Sequence, residues 1–367
     1  MKKYAPCQNE GYFNLRYHSA WPLLFMVAAF GVSCIGDDRF TLHDLRDAYV
    51  ISARAADAAP SATPGQPLIT QPDDGLGELK NQLQTAAKTI DMTIYDLSDP
   101  AIEQILADKA AQKVVVRVIL DHNREANNNQ QAFDFLSTRG VAVRWAPAQY
   151  AATHSKSITI DGATTIIMTN NLDTRYYATG RDFGVVDVDA ADNAAIAQVF
   201  DADFNGQPIT PPVTPNLTWS PTQSEGDILD LINSAQSTLA IENEEMSYAN
   251  VVEALSNAAG RGVQVRLAMT IAKEWAGNFE KLAEAGVQIA VYEPDAPLYI
   301  HAKVILADYG TASQKLFIGS QNFSYDSLDK NRELGLTITA TAILSSVNAT
   351  LTKDFQGGRR WQLSPPK

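Results

Sequence analysis

The sequence predicts an α/β fold made of two tandem, similar units. Four pairs of matching positions are separated by a nearly constant distance of about 146 to 149 residues. These pairs are Thr89 and Thr238, Arg117 and Arg266, Gly140 and Gly286, and His154 and His301. Self-similarity at one fixed offset indicates a duplicated structural unit. Within each unit, short apolar runs alternate with segments of helical periodicity, which is typical of a largely parallel or mixed sheet covered by helices.

Each unit begins with the same four elements. An amphipathic helix with apolar residues at helical spacing comes first, and a β-branched strand, a second helix and an almost continuously apolar strand follow. Runs such as Val114-Val115-Val116 are typical of strands covered on both faces. We predict these elements at Leu76–Ala87, Ile90–Tyr95, Ala101–Ala111 and Val114–Leu120, and again at Asp227–Ala235, Leu239–Asn243, Val251–Arg261 and Val263–Ala268.

The rest of each unit follows a common plan as well. A third helix and strand precede two or three further strands, and a last helix closes each unit, at Asp192–Phe204 and at Ala340–Phe355. Units of this size are long enough to bury their own cores. We place the units at residues 76–206 and 222–357, with a tail at 358–367. We predict linkers at residues 36–75 and 207–221, because residues 53–75 are rich in Ala, Pro, Ser, Asp and Gly and residues 207–215 are rich in proline.

Composition narrows the classes of function. The formal net charge is −13 and the pI is about 4.8, which disfavours a dedicated nucleic-acid-binding surface, because such surfaces carry excess Lys and Arg. A local basic cleft would still permit a nuclease. Both cysteines, Cys7 and Cys34, lie outside the units, so we expect no disulfide framework and no cysteine-based metal site. We expect neither a metal nor another cofactor.

The N-terminus carries an export-like pattern. Basic residues precede an apolar run of about fifteen residues, 21–35, which is shorter than the roughly 20 residues that span a bilayer. Small residues end this run, as they do at secretory cleavage sites. Residues 31–34 also resemble a lipoprotein box. The favoured interpretation is therefore a signal segment at residues 1–35, with Cys34 as a candidate lipid anchor on a secreted, periplasmic or envelope protein. The alternative is a hydrophobic helix of the mature chain.

One motif occurs in both units and carries the chemistry. Each copy reads His-x-Lys-x-x-x-x-Asp and continues into a β-branched strand. A small-polar turn that ends in Asn follows, and then a carboxylate. The first copy comprises His154, Lys156, Asp161, Thr169, Asn171 and Asp182, and the second comprises His301, Lys303, Asp308, Ser320, Asn322 and Glu333. Two imidazoles, two lysines and two amides are the groups that metal-independent phosphoryl transfer requires.

The paired motifs resemble those of the phospholipase D superfamily, over about residues 75–355. This resemblance implies that the two units pack with pseudo-two-fold symmetry and that both motifs meet in one shared cleft. Thr169 stands where Ser is typical and Asp182 where Glu is typical. Because Asp is one methylene shorter, its contact with an imidazole is expected to need a displaced backbone or a bridging water.

The resemblance also implies roles for the motif residues. His154 is expected to attack phosphorus and form a phosphohistidine, and His301 to protonate the leaving alcohol and then activate water. Lysine charges and asparagine amides would stabilise the phosphoryl oxygens. Asp182 and Glu333 would each orient an imidazole, as the third member of a catalytic triad does. Asp161 and Asp308 are expected to fix strand ends and not to touch substrate.

Several functions fit these motifs. We favour an exported phospholipase D-type phosphodiesterase, expected to be a monomer, that hydrolyses or transfers phospholipid head groups at a membrane surface. The alternatives are a nuclease of the same superfamily, a cardiolipin synthase-like phosphatidyltransferase and an inactive binding module. The acidic segment 242–245 follows a strand end, where α/β clefts lie. A solvated loop is the favoured interpretation of this segment, over a site for a cationic head group.

Overall fold

The computed structural model describes residues 67–363. The candidate signal segment, Cys34 and most of the first predicted linker therefore lie outside the described residues. Within residues 67–363, no helix is both long enough and apolar enough to cross a bilayer.

The first half forms one large sheet with helices on its faces. Its strands and helices run in chain order as β1 (Leu68–Gln71), α1 (Gly77–Thr85), β2 (Thr89–Ile94), β3 (Leu97–Ser98), α2 (Pro100–Ala111), β4 (Val115–Leu120), α3 (Ala126–Ser137), β5 (Ala142–Trp145), β6 (Ser157–Ile160), β7 (Thr164–Met168), β8 (Leu172–Asp173), β9 (Gly180–Asp187) and α4 (Ala190–Phe204). The strand order is β1-β9-β7-β6-β2-β4-β5, and β3 pairs with β8 apart from it. β2, β4 and β5 are parallel, whereas the motif strands are antiparallel, so the sheet is mixed.

The second half repeats this plan. Its elements are β10 (Leu217–Ser220), α5 (Ser224–Ser234), β11 (Thr238–Glu242), α6 (Ala249–Gly260), β12 (Gln264–Thr270), a 3₁₀ turn (Lys273–Trp275), α7 (Ala276–Glu284), β13 (Gln288–Tyr292), β14 (Tyr299–Ile300), β15 (Val304–Ala307), β16 (Lys315–Gly319), α8 (Tyr325–Asp329), β17 (Glu333–Ile338), α9 (Thr341–Gly357) and β18 (Arg359–Arg360). The strand order β10-β17-β16-β15-β11-β12-β13 matches that of the first half, strand for strand. The predicted tandem α/β units are therefore confirmed.

The predicted linkers and tail differ from the structure at three places. β1 lies within the predicted linker 36–75 and β10 within the predicted linker 207–221. Both are edge strands that pair antiparallel with β9 and β17, respectively, and their buried side chains complete the sheets. In the predicted tail, β18 pairs with β13. Strands of four or two residues carry too little periodicity to stand out in a sequence, and β1 and β10 also border prolines.

Three large apolar clusters form the core, and one of them joins the two halves. Two outer cores each lie between one sheet and the helices of its own half. The third cluster is formed by both halves: it joins side chains of β7 and β9 to those of β15, β16 and β17, and includes one face of α4 and of α9. Each sheet is thus covered on both faces, which explains why its strands are almost continuously apolar.

Asp161 and Asp308 act as structural caps. Both adopt a left-handed backbone conformation, with φ of 54° and 52°, which Asp tolerates better than most residues. The Asp161 carboxylate accepts backbone N–H groups of residues 87–89, at the start of β2. Asp308 does the same for residues 236–238, at the start of β11. Each carboxylate thus binds the backbone at the start of a strand.

Candidate active site

Backbone pairing between the halves brings the two motifs into one cleft. The residue before each histidine pairs in parallel with the residue before the carboxylate of the other half: Ile300 with Arg181, and Thr153 with Arg332. The N–H of His301 donates to the Arg181 carbonyl at 3.2 Å, and that of His154 donates to the Arg332 carbonyl at 2.9 Å. The site therefore exists only where both halves meet.

Each histidine is held by the carboxylate of the opposite half. His154 Nδ1 lies 2.8 Å from Glu333 Oε2, and His301 Nδ1 lies 2.8 Å from Asp182 Oδ1. A carboxylate that accepts Nδ1–H fixes the tautomer in which the remaining nitrogen, Nε2, carries the chemistry. Both imidazoles line the same cleft, whose cavity volume is about 500 Å³.

The shorter Asp182 reaches its imidazole directly. The contact of 2.8 Å needs no bridging water, contrary to one of the two routes expected from the sequence. The backbone explains this result, because β14 brings the residues before His301 into a two-residue parallel ladder with β9 at Gly180 and Arg181. The other catalytic pair, His154 and Glu333, has the longer Glu side chain, and there the two halves are joined by a single β-bridge between Thr153 and Arg332.

Hydroxyl and amide donors fix both carboxylates. Thr169 Oγ1 donates to Asp182 Oδ1 at 2.6 Å, so Thr serves where Ser is typical. Glu333 Oε1 accepts Ser327 Oγ at 2.6 Å and Asn331 Nδ2 at 3.0 Å. Ser320 Oγ accepts the N–H of Leu334 at 3.1 Å, which anchors the turn of the second motif to β17.

The two motif lysines are buried and have different surroundings. Lys156 Nζ donates to the His154 carbonyl at 2.6 Å and lies 5.0 Å from the centre of the Tyr95 ring. Lys303 Nζ donates to the His301 carbonyl and forms an ion pair with Glu244 Oε2 at 3.0 Å. The first lysine therefore faces an aromatic ring, whereas the second faces a carboxylate.

The two asparagines line the cleft beside the histidines. Asn322 Nδ2 donates to Glu245 Oε1 at 3.1 Å and reaches Glu244 Oε2 at 3.4 Å. The Oδ1 atoms of Asn171 and Asn322 are buried and accept no hydrogen bond from the residues that the structure describes.

Burial shifts the pKa values of the ionisable side chains of the first motif. It lowers the pKa of His154, although the Glu333 carboxylate opposes this effect. It also lowers the pKa of Lys156 to about 7, and the nearby Lys303 charge adds to that shift. Burial works against ionisation of Glu333, but the hydrogen bond from His154 and the charge of Lys156 hold the Glu333 pKa below its usual value. Near neutral pH, His154 is therefore a neutral imidazole bound to an ionised carboxylate.

Two buried arginines brace the site, and sequence reasoning missed their role. Arg181 and Arg332 directly precede the two carboxylates that hold the histidines. Arg181 Nε forms an ion pair of 2.5 Å with Asp354 in α9, and Arg332 Nε one of 2.9 Å with Asp203 in α4. Each arginine thus binds the closing helix of the opposite half. The repeated Asp-Phe pair at 203–204 and 354–355 is a signal that could have revealed this arrangement.

The acidic segment after β11 is not a solvated loop. Glu242 is fully buried, and burial together with the nearby Asp354 raises its pKa well above the usual value. Glu244 contacts Lys303 and lines the cleft with Glu245. The favoured interpretation of residues 242–245 from the sequence was therefore wrong for these side chains.

Comparison with known protein families shows the family to which this chain belongs. The family model for the cardiolipin synthase, PLD-like domain matches residues 79–206 and again residues 228–356, which together make up more than half of the chain. The chain belongs to the phospholipase D superfamily. Members of this superfamily are phosphodiester-handling enzymes. No curated protein matches the chain.

Two solved structures share the fold of this phospholipase D-like chain. Polyphosphate kinase from Porphyromonas gingivalis is 15% identical with a TM-score of 0.64, over 81% of this chain and 49% of the kinase. The chain thus spans about half the length of that protein. Phosphatidylserine synthase from Haemophilus influenzae Rd KW20 is 12% identical with a TM-score of 0.63, over 81% of this chain and 87% of the synthase. At these identities the likeness shows the fold alone.

Proposed function

We propose that this protein is a phospholipase D-type phosphodiesterase that works through a phosphohistidine. One observation carries the proposal: both imidazoles are held through Nδ1 by a carboxylate of the opposite half, and both line one cleft with two asparagines. Two Nε2 atoms that face one phosphorus would provide the nucleophile and the general acid.

The reaction has two steps. His154 Nε2 attacks phosphorus, so that an N–P bond forms and the P–O bond to the leaving alcohol breaks, and His301 gives that oxygen a proton. Water then attacks phosphorus while His301 takes its proton, and the N–P bond breaks. An alcohol in place of water would give transfer instead of hydrolysis. Lys156 and Lys303 stabilise the charge that develops on the phosphoryl oxygens.

The asymmetry of the site supports this order of roles. A nucleophile needs a free lone pair, and burial lowers the pKa of His154, which keeps its imidazole neutral. His301 faces carboxylate oxygens on both sides, with Asp182 at 2.8 Å from Nδ1 and Glu244 at 3.5 Å from Nε2. With Nδ1 held by Asp182, His301 Nε2 is the nitrogen left to give a proton to the leaving oxygen.

A phospholipid head group is the proposed leaving group. The matching family is named for cardiolipin synthase and one structural neighbour is a phosphatidylserine synthase, and both names support a lipid phosphodiester. Asp96, Glu125, Glu244 and Glu245 line the cleft, and this acidic wall disfavours a polyanion such as DNA. We further propose that the protein is exported and acts as a monomer at a membrane surface.

The proposal is tested by assaying the same purified protein with lipid substrates and with nucleic acid. Purified protein is incubated in EDTA with vesicles of phosphatidylcholine, phosphatidylethanolamine, phosphatidylglycerol or cardiolipin, and separately with plasmid DNA. We expect head-group release from at least one lipid and intact DNA. DNA cleavage without lipid turnover would replace the proposal with a nuclease, and His154→Ala serves as the matched inactive control.

A further inference from the structure

A carboxylate occupies the anion position of the second half. Glu244 Oε2 lies 3.0 Å from Lys303 Nζ, 3.5 Å from His301 Nε2 and 3.4 Å from Asn322 Nδ2. In the proposed mechanism Lys303 faces a phosphoryl oxygen and His301 faces the leaving oxygen, and the Asn322 amide is expected to face a phosphoryl oxygen as well. Tyr299 holds the other oxygen, because its hydroxyl donates to Glu244 Oε1 at 3.0 Å.

The first half has a neutral side chain at the equivalent position. β2 and β6 pair Thr93 with Ser157, while β11 and β15 pair Glu242 with Val304. Since Ser157 and Val304 each follow a motif lysine, the residue two places beyond Thr93 matches the one two places beyond Glu242. Tyr95 is therefore the counterpart of Glu244. The Tyr95 ring packs edge-on against His154 at 4.6 Å between ring centres.

The Glu244 carboxylate is charged and partly open to the cleft. Burial works against its ionisation, but Lys303 and His301 outweigh that effect and hold the Glu244 pKa below its usual value. Its side chain keeps 23% of its exposure and lines the open cleft, whereas Lys303 is fully buried. A phosphate that enters the cleft therefore meets a fully buried cation whose partner is a partly exposed anion.

We propose that Glu244 is a specificity-determining residue whose carboxylate a phosphate must displace from Lys303, His301 and Asn322. This inference rests on the proposed function of the cleft. After displacement, the carboxylate stays tethered near the bound phosphate and repels it. Repulsion grows with the charge of the ligand. Glu244 thus disfavours multiply charged phosphates, including phosphomonoesters, relative to singly charged phosphodiesters, and favours a cationic or neutral leaving group.

Phosphate binding without turnover tests the inference. Inorganic phosphate and the singly charged dimethyl phosphate are titrated calorimetrically, near neutral pH, into wild type, Glu244→Gln and Glu245→Gln. Both variants remove one charge from the same cleft, but only Glu244 contacts Lys303. We expect Glu244→Gln to bind phosphate about tenfold more tightly and dimethyl phosphate about threefold more tightly. Glu245→Gln should change either constant by less than about threefold.

Each outcome decides the matter. Equal or weaker phosphate binding by Glu244→Gln, equal gains in both variants, or no measurable phosphate binding by any of the proteins would overturn the inference. If Glu244→Gln does not fold, Glu244→Tyr, which introduces the residue of the first half, must show the same tighter binding. Tighter phosphate binding in a protein that turns over no phosphodiester would keep the inference and remove the proposed function. Head-group release by the wild type, together with unchanged phosphate binding by Glu244→Gln, would keep the proposed function and remove the inference.

Discussion

Replacing Lys156 with Met should stabilise the protein while it destroys activity. Lys156 is only 1% exposed, and its ammonium has a backbone carbonyl and an aromatic ring as its described contacts. Met has a similar length and no charge to desolvate. The nearby Glu333 keeps three donors after the change, from His154, Ser327 and Asn331. The buried Glu333 carboxylate is therefore not left without partners.

The size of the effect follows from the Lys156 pKa. Burial lowers this pKa from 10.5 to about 7. At 1.36 kcal/mol for each pH unit, a charged Lys156 costs the folded state roughly 5 kcal/mol. Between about pH 7 and 10.5 the unfolded chain binds the extra proton, so the free energy of unfolding of the wild type rises with pH across this window. The free-energy cost of burying the Lys156 charge has its full value below about pH 7 and disappears above about pH 10.5.

The Lys156→Met variant should therefore exceed the wild type in free energy of unfolding by the largest amount at low pH. After its lost hydrogen bond is subtracted, we expect a net gain of about 2 kcal/mol at pH 7, or about 5 °C in Tm, and almost no gain near pH 10. Calorimetric melts at both pH values measure this difference. Lys303→Met is the matched control, and its Tm should fall, because it leaves Glu244 without its ion-pair partner. A lower Tm for Lys156→Met at pH 7, or an equal gain at both pH values, would refute the reasoning.

Four further predictions concern the reaction. His154→Ala and His301→Ala should each lower kcat by more than about tenfold, or roughly 1.4 kcal/mol of barrier, with wild-type circular dichroism; a smaller loss in either contradicts the two-histidine mechanism. With a p-nitrophenyl phosphodiester, whose leaving group needs no proton, His301→Ala should accumulate phosphohistidine at His154, and mass spectrometry that finds the label on His301 in His154→Ala would reverse the roles. With that same ester, kcat/KM should fall above about pH 7, because Lys156 loses its proton. It should also fall below the usual histidine pKa, because His154 gains a proton. If kcat/KM did not change above about pH 7, Lys156 would be excluded as a required cation. Activity on a soluble phosphodiester should persist in EDTA because lysines supply the positive charge, and loss that one divalent ion specifically restores would show that a metal takes part.

The sequence predicted what depends on repetition. Two copies of one motif at a constant offset predicted the tandem units and named the residues that meet in the cleft. The edge strands β1 and β10 were missed because each is four residues long and precedes a proline. Their positions, Leu68 and Leu217, nevertheless show the repeat offset of about 149 residues, so alignment of the two halves could have found them.

The sequence could not show what depends on the packing of one half against the other. Nothing in the spacing of His154 and Asp182 says that each residue serves the opposite motif. The charge of Glu244 also could not be interpreted locally, since an acidic run after a strand is usually solvated. Its role follows from Lys303, which lies 59 residues away in the chain and 3.0 Å away in space.

The exchange of partners between the halves makes the site a property of the whole fold. In one half alone, His154 would keep its lysine but lose Glu333, and Arg332 would lose Asp203. The same holds in reverse for His301 with Asp182 and for Arg181 with Asp354. Each half therefore supplies the imidazole of one catalytic pair and the carboxylate of the other. An isolated half could complete its site only by pairing with a second copy about a two-fold axis. Fusing the halves removes the need for identical sites, which allows Tyr95 to stay beside one histidine while Glu244 faces the other.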